Sequence, residues 1–207
     1  MRKVLFGLLS FVVTTGAGAQ VIGFDSDAVG SPPAGWVCGV TGAGKPHWSV
    51  SASADAPSKP NVLVQSASGT FPWCVRSGFV AADGFVEVKF KPISGRADQA
   101  GGVMWRWKDG DNYYVARANA LENNVSLYYT ERGRRQTLKY VDAPVALGVW
   151  HTLRVDFVGT HIAVTLDGKR GIALDDRHIS GAGAVGVWTK ADSVTAFDDF
   201  SFGTTRR

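Results

Sequence analysis

Apolar and polar residues alternate with a period of two along much of the second half of this chain. Val86, Val88 and Phe90 alternate with Glu87, Lys89 and Lys91, and Leu153, Val155 and Phe157 with Thr152, Arg154 and Asp156. Ile162, Val164 and Leu166 alternate with Ala163 and Thr165 in the same way. Successive side chains of a strand point to opposite faces, so these runs predict strands with one face against a core. Turn signals punctuate them at Asp83-Gly84, Asp109-Gly110, Arg132-Gly133 and Asp167-Gly168. No segment of a dozen residues carries a helical stripe. Many short, regularly punctuated strands predict an all-β fold, a two-sheet antiparallel β-sandwich. Residues 20–80 are looser and rich in Ser, Pro, Gly and Ala, with strand candidates at 47–50 and 62–65. They are expected to supply edge strands and loops to the same core. No linker, charge block or repeat interrupts the chain, so residues 20–207 read as one domain.

The first residues read differently. Arg2 and Lys3 precede an apolar run over residues 4–13 and the small residues Ala17-Gly18-Ala19. A basic start, a short apolar stretch and an A-x-A exit predict a signal peptide over residues 1–19, and the run is too short to span a bilayer. The expected location is periplasmic or secreted. Cleavage there removes two cations from a formal net charge of +4, and no long basic stripe remains to hold a nucleic acid. With 7 Trp, 11 Phe and 5 Tyr the chain has far more to bury than a disordered one. In an oxidising compartment Cys38 and Cys74 either pair or remain as two buried thiols, since pairing requires Cα atoms within about 7 Å.

Several motifs come close to known chemistry and miss. Residues 39–45 spell G-x-x-x-x-G-K, but Pro46 stands where a Ser or Thr would hold Mg²⁺. Residues 181–186 spell G-x-G-x-x-G with a strand following instead of a helix, which reads as a turn. Arg132, Arg134, Arg135 and Lys139 cluster at one hairpin and read as a solvated turn. The four histidines lie far apart, and no G-x-S-x-G occurs. The only glutamates are Glu87, Glu122 and Glu131, none within an E-x-D-x-x-E strand, so a standard two-carboxylate glycosidase of that type is not expected.

Register arguments locate a polar patch. A hairpin joins residues 101–107 to 113–119. With Lys108 opposite Tyr113, Trp105 faces Ala116 and Trp107 faces Tyr114 on the core side. Met104 and Arg106 then stand beside Val115, Arg117 and Asn119 on the other face. A slip of one residue would drive Arg117 among Val103, Trp105 and Trp107, and burying an unpaired guanidinium costs on the order of several kcal/mol. Continuing the register, Val125, Leu127 and Tyr129 join the core, while Ser126, Tyr128 and Thr130 join the polar face. The candidate ligand-binding residues are therefore Arg106, Arg117, Asn119 and Tyr128, with Gln99, Glu122 and Asn123 at the rim. Arg forks, amides and rings suit sugar hydroxyls and planar carbonyl or carboxylate groups. A plain solvent-facing surface is the alternative.

Further candidates flank this patch. Trp188, Lys190 and Asp192 alternate on a strand expected to adjoin it. Trp188 reads either as a sugar-stacking platform or as core, and Lys190 with Asp192 reads as an ion pair. Asp198 and Asp199 with the N-terminal Asp25 either offer oxygen ligands to Ca²⁺ or close a terminal turn. His47, beside Trp48, is a candidate acid–base group or a structural histidine.

The runs GGVMWRWKDGDNYYVARANALENNVSLYY, GVWHTLRVDFVGTHIAVTLDGKR and VGVWTKADSVTAFDDFSF resemble the concanavalin A-like (laminin G-like) sandwich. Within it, the patterns W-R-x-x-D-x-x-N-Y-Y, W-H-T-L-R-V, L-D-G-K and F-D-D-F over residues 85–202 resemble the bacterial 3-keto-disaccharide hydrolase domain family. The resemblance implies a jelly roll, a carbohydrate ligand and cleavage of a glycosidic bond next to a keto group. A C3 ketone acidifies the C2 hydrogen, so a base can start an elimination through an enolate that cations stabilise. Arg106 and Arg117, or a divalent metal, would supply that stabilisation. Glu122, His47 and Asp192, together with Asp98, are the available bases, and the resemblance does not choose between them. The competing function is a non-catalytic, lectin-like carbohydrate-binding module of the cell envelope.

Overall fold

The computed structural model describes residues 18–204, so the expected signal peptide, apart from Gly18 and Ala19, lies outside the described residues. Hydrogen-bonded pairing gathers the alternating segments into two sheets. The first runs, in spatial order, β13 (Lys169–Asp175), β12 (His161–Leu166), β11 (His151–Val158), β6 (Gly84–Ser94), β15 (Val194–Thr204), β4 (Asn61–Gln65) and β3 (Trp48–Ala52), with the short β1 (Gln20–Ile22) added along β15. The second runs β10 (Arg134–Asp142), β9 (Asn124–Glu131), β8 (Asn112–Asn119), β7 (Ala100–Asp109), β14 (Ala184–Trp188), β5 (Gly69–Arg76) and β2 (Trp36–Gly44).

In the first sheet the period-two prediction holds residue by residue. Val86, Val88 and Phe90 of β6 and Leu153, Val155 and Phe157 of β11 are buried, while the residues between them are partly exposed. Their apolar face meets the inner face of the second sheet, where Trp105 stacks on Phe157 with ring centroids 6.0 Å apart. The sheets close tightly here. A Cβ on Gly101 would stand 2.2 Å from the Phe90 ring, so only glycine lets β7 lie beneath it. Tyr114 is buried in the same layer, and its hydroxyl is satisfied by Asp176.

The N-terminal stretch contributes three strands to the first sheet and two to the second. β3 and β4 correspond to the predicted candidates. β2 and β5 were not expected, because Gly and Pro within them blur the alternation. Their register sets Cys38 directly opposite Cys74, with Cα atoms 3.9 Å apart, and the two sulfurs are bonded.

The second sheet departs from the simple pattern, because β7, β8 and β9 are buried on both faces. A second apolar cluster therefore lies on its outer side, containing Trp73, Met104, Tyr113, Val115, Tyr128 and Trp188.

The β7–β8 hairpin corrects the expected register. Asp109 pairs with Asn112 at the turn, but a bulge on β7 then shifts the ladder by two residues, so Trp105 faces Tyr114 and Val103 faces Ala116. A shift of two preserves the faces as far as Trp105. Arg106 does not follow, because its φ of 47° turns it out of the alternation. Its guanidinium enters the inner side at one end of the sandwich, over the Phe157 ring at 5.8 Å. There it donates to the carbonyls of Ala82 (2.9 and 3.1 Å), Gly159 (2.6 Å) and Ile179 (3.2 Å). Arg106 and Arg117 thus lie on opposite sides of the sheet, and the expected pairing of the two cations is overturned. Three backbone carbonyls from separate loops, with Asp83 at 3.7 Å, hold Arg106 more firmly than an outward-facing rotamer could.

Two outcomes follow from this architecture. Arg106→Ala strands those carbonyls and is expected to cost about 3 kcal/mol or more, read from the urea midpoint. Replacing both cysteines by alanine opens a loop of 36 residues and is expected to cost about 3–4 kcal/mol by the same measurement.

Candidate functional site

The outer face of the second sheet can be assembled from its register. One row crosses five strands: Ser126 of β9, Arg117 of β8, Gly102 of β7, Trp188 of β14 and Trp73 of β5. Directly paired residues share a face, so the Arg117 and Trp188 side chains stand on either side of a position that has none. A Cβ at Gly102 would come 2.8 Å from the Ala116 carbonyl and 3.3 Å from the Arg117 Cβ, which makes glycine the residue this close pairing needs. The next row sets Tyr128 beside Val115 and Met104.

Arg117 is only 2% exposed. Its Nη2 donates to Glu122 Oε2 at 2.8 Å, and its Nε donates to the Tyr128 hydroxyl at 3.3 Å. Nη1 stands 3.7 Å from Asp98 Oδ1, inside ion-pair range, and is buried without a hydrogen-bond acceptor among the described residues. Asp98 is fully buried and accepts from Asn119 Nδ2 at 3.0 Å and from Lys190 Nζ. Glu122, at the rim, also accepts from Asn124 Nδ2 at 2.8 Å, and that amide reaches the Tyr140 hydroxyl at 2.7 Å. Burial opposes the Arg117 charge, but Tyr128, Asp98 and Glu122 outweigh it and raise its pKa. For Glu122, partial burial works against the charge, yet the hydrogen bonds from Asn124 and Arg117 hold its carboxyl below the ordinary range.

Arg135 completes the layer. It sits on the outermost strand, β10, opposite Thr130, and its side chain reaches inward across the sheet. The guanidinium carbon lies 4.2 Å from the Tyr128 ring centroid, 4.6 Å from Phe71 and 5.6 Å from Trp188. Phe71 and Trp188 are themselves stacked, with centroids 5.6 Å apart. This cation-over-ring packing explains how Trp188 can be fully buried on an outward face. Burial and the neighbouring Arg117 charge push the pKa of Arg135 down.

The structure thus brings together Arg117, Asn119, Tyr128, Trp188, Lys190, Glu122 and Asp98, and separates the others. Arg106 is on the inner side. Lys190 pairs with Asp98, not with Asp192 as expected. Asp192 instead accepts the backbone N–H groups of Arg96, Ala97 and Asp98 at 2.8–3.2 Å, which depress its pKa and leave it fastening a loop, not serving as a base. Gln99 donates to the Gly95 carbonyl within that same loop. Asn123 accepts from the Val145 N–H. His47 is exposed and lines a separate 260 Å³ cavity with Pro32, Cys38, Gly39, Pro46 and Trp48, away from the polar network.

The proposed metal set does not form. Asp25 accepts from the Asn61 N–H, Asp198 holds the Ser58 N–H and hydroxyl, and Asp199 pairs with Lys89 at 2.7 Å. Among the described residues, no three His, Cys, Asp or Glu side chains gather as a metal-binding group. Sequence reasoning missed Arg135 and Phe71. Extending the register one strand further would have found Arg135, since it lies opposite Thr130, which had already been assigned to the polar face.

No protein-family profile matches this chain, and no curated protein matches it. Solved structures do. The carbohydrate-binding module CBM66 from Bacillus subtilis is similar with a TM-score of 0.69 at 18% identity, over 82% of this chain and 96% of that one. A Bacillus licheniformis β-glucanase is similar with a TM-score of 0.56 at 14% identity, over 93% and 100% of the two chains. A lichenase derived from a mouse hindgut metagenome gives 0.58 at 13% identity, over 90% and 98%. At such identities the likeness establishes the fold, and the all-β concanavalin A-like sandwich expected from the sequence is borne out. It does not extend to the 3-keto-disaccharide hydrolase family.

Proposed function

We propose that this chain binds carbohydrate on the outer face of its second sheet, as a periplasmic or secreted protein. The observation that carries this reading is one layer in which Trp188, Phe71 and Tyr128 adjoin the Arg117–Asn119–Asp98–Lys190–Glu122 network. A sugar ring offers C–H faces to aromatic rings and hydroxyls to amides and charged groups, so it matches both halves of such a layer. Open hydrogen-bonding capacity supports the same reading, since Trp188 Nε1 and Arg117 Nη1 are buried donors without acceptors among the described residues. Neighbours in fold that are named for carbohydrate binding and for glucanase activity support it at the level of class.

A second reading, cleavage of 3-keto-glycosides, is favoured by one feature. Glu122 is ionised, partly exposed and bonded to Arg117. A base there would take the C2 proton next to a C3 ketone, and the C–H electron pair would become the enolate. Collapse of the enolate forms a C1–C2 double bond and breaks the C1–O bond, and the departing alkoxide takes back the proton that Glu122 removed from C2. Arg117 is the cation beside the developing negative charge.

Binding is tested by calorimetric titration of the purified chain with oligosaccharides. Tyr128→Ala is expected to weaken binding about tenfold, or about 1.4 kcal/mol, with the fold retained by circular dichroism. A folded wild-type chain with no measurable affinity for any glycan overturns the reading. Catalysis is tested on 3-keto-disaccharides, where Glu122→Gln is expected to lower kcat at least about a hundredfold. Because a base acts ionised and Glu122 is depressed below its ordinary 4.5, turnover should persist through neutral pH and fall only on acidification below that value. An unchanged rate in Glu122→Gln removes this assignment.

A further inference from the structure

Resting on the carbohydrate-binding reading, we infer that the ligand of this layer carries an anionic group, making it an acidic saccharide, and that Arg135 is the arm that closes on it. Charge is the first argument. Three cations, Arg117, Arg135 and Lys190, share the layer with two carboxylates, Asp98 and Glu122. Both carboxylates are already engaged, Asp98 by Lys190 and Asn119, and Glu122 by Arg117 and Asn124. One positive charge is left over beside the buried Arg117 and Asp98.

Unmet donors are the second argument. Nη1 of Arg117 and Nη1 of Arg135 are both buried without a hydrogen-bond acceptor among the described residues, and both guanidinium groups lie over the same Tyr128 ring, at 5.8 and 4.2 Å. Aromatic faces attract a guanidinium but accept none of its in-plane N–H groups. A carboxylate or sulfate ester placed between these two forks would take those N–H groups and balance the extra charge, which a neutral hydroxyl does only in part.

The placement of Arg135 supplies the third argument. Its long stem rises from the outermost strand, so rotation about side-chain torsions alone would lift the guanidinium from Phe71, Tyr128 and Trp188. The same motion uncovers the rings on which a sugar would stack. Beside this layer lies a 480 Å³ recess lined by Gly44, Ser68, Gly69, Thr70, Ala191 and Asp192, among others, which provides room for further sugar units.

The test titrates the chain with matched trisaccharides, acidic and neutral: galacturonate against galactose, glucuronate against glucose, and a sulfated galactose oligomer. At least one acidic member is expected to bind about tenfold or more tighter than its neutral partner. Whether the carboxylated or the sulfated sugar binds tighter identifies the anion. Arg135→Met, which keeps an apolar stem over the rings, should lose about fivefold or more of that preference with an unchanged melting midpoint, and Arg135→Lys should keep part of it. Neutral sugars binding as tightly as acidic ones overturn the inference and leave the carbohydrate reading standing. Binding of none of them rejects both. A preference untouched in Arg135→Met and Arg135→Lys removes the arm.

Discussion

A charged side chain excluded from water on an outward-facing sheet surface is the constraint around which this molecule is arranged. The buried charge of Arg117 is compensated because Asp98 and Glu122 flank it and Tyr128 lies beside it. Each of those partners is fixed in turn. Asp98 ends a loop whose backbone N–H groups are gathered by Asp192, and Glu122 is steadied by Asn124. Removing Asp98, the fully buried carboxylate of the network, would break a buried ion pair, a change that costs about 3–5 kcal/mol where it has been measured. The network that the proposed function uses for recognition therefore also supports the fold.

The two arginines of the first hairpin show how partners, not residue type, decide a role. Arg106 is saturated by carbonyls belonging to three loops, and its positive φ is sustained by those bonds. Such a group is architectural. Arg117 is bound by side chains and retains an unfilled N–H direction toward the outer layer. The same guanidinium chemistry yields a fastener in one place and, under the proposed function, a recognition group in the other.

Much of this fold was legible in the amino-acid order, and the reasons for success and failure are physical. β6, β11 and β12 could be read because one of their faces meets water, which forces alternation. On β8 and β9 Arg117, Asn119 and Tyr128 were placed on the proper face, because a one-residue slip would bury a guanidinium among tryptophans, although the register against β7 is off by two and Arg106 turns to the other side. The bulge at Arg106 was not legible, since what stabilises it comes from Ala82, Gly159 and Ile179, distant in sequence. Arg135 was hidden by its neighbours, as a run of basic residues at a turn looks like solvated surface. Only its position opposite Thr130 on β10 distinguishes it. The choice between a Cys38–Cys74 bond and two buried thiols was equally illegible, because it depends on a register between two strands whose glycines and prolines mask their pattern.

That covalent link has a consequence at the margin of the sheet. β2 is the last strand of its layer, and beyond it the backbone amides and carbonyls have no further strand to pair with. An edge that peels away exposes the strand beneath as a template for another chain, which is how sandwiches begin to polymerise. Tying β2 to β5 resists that peeling, so the bond protects the protein against self-association as well as against unfolding.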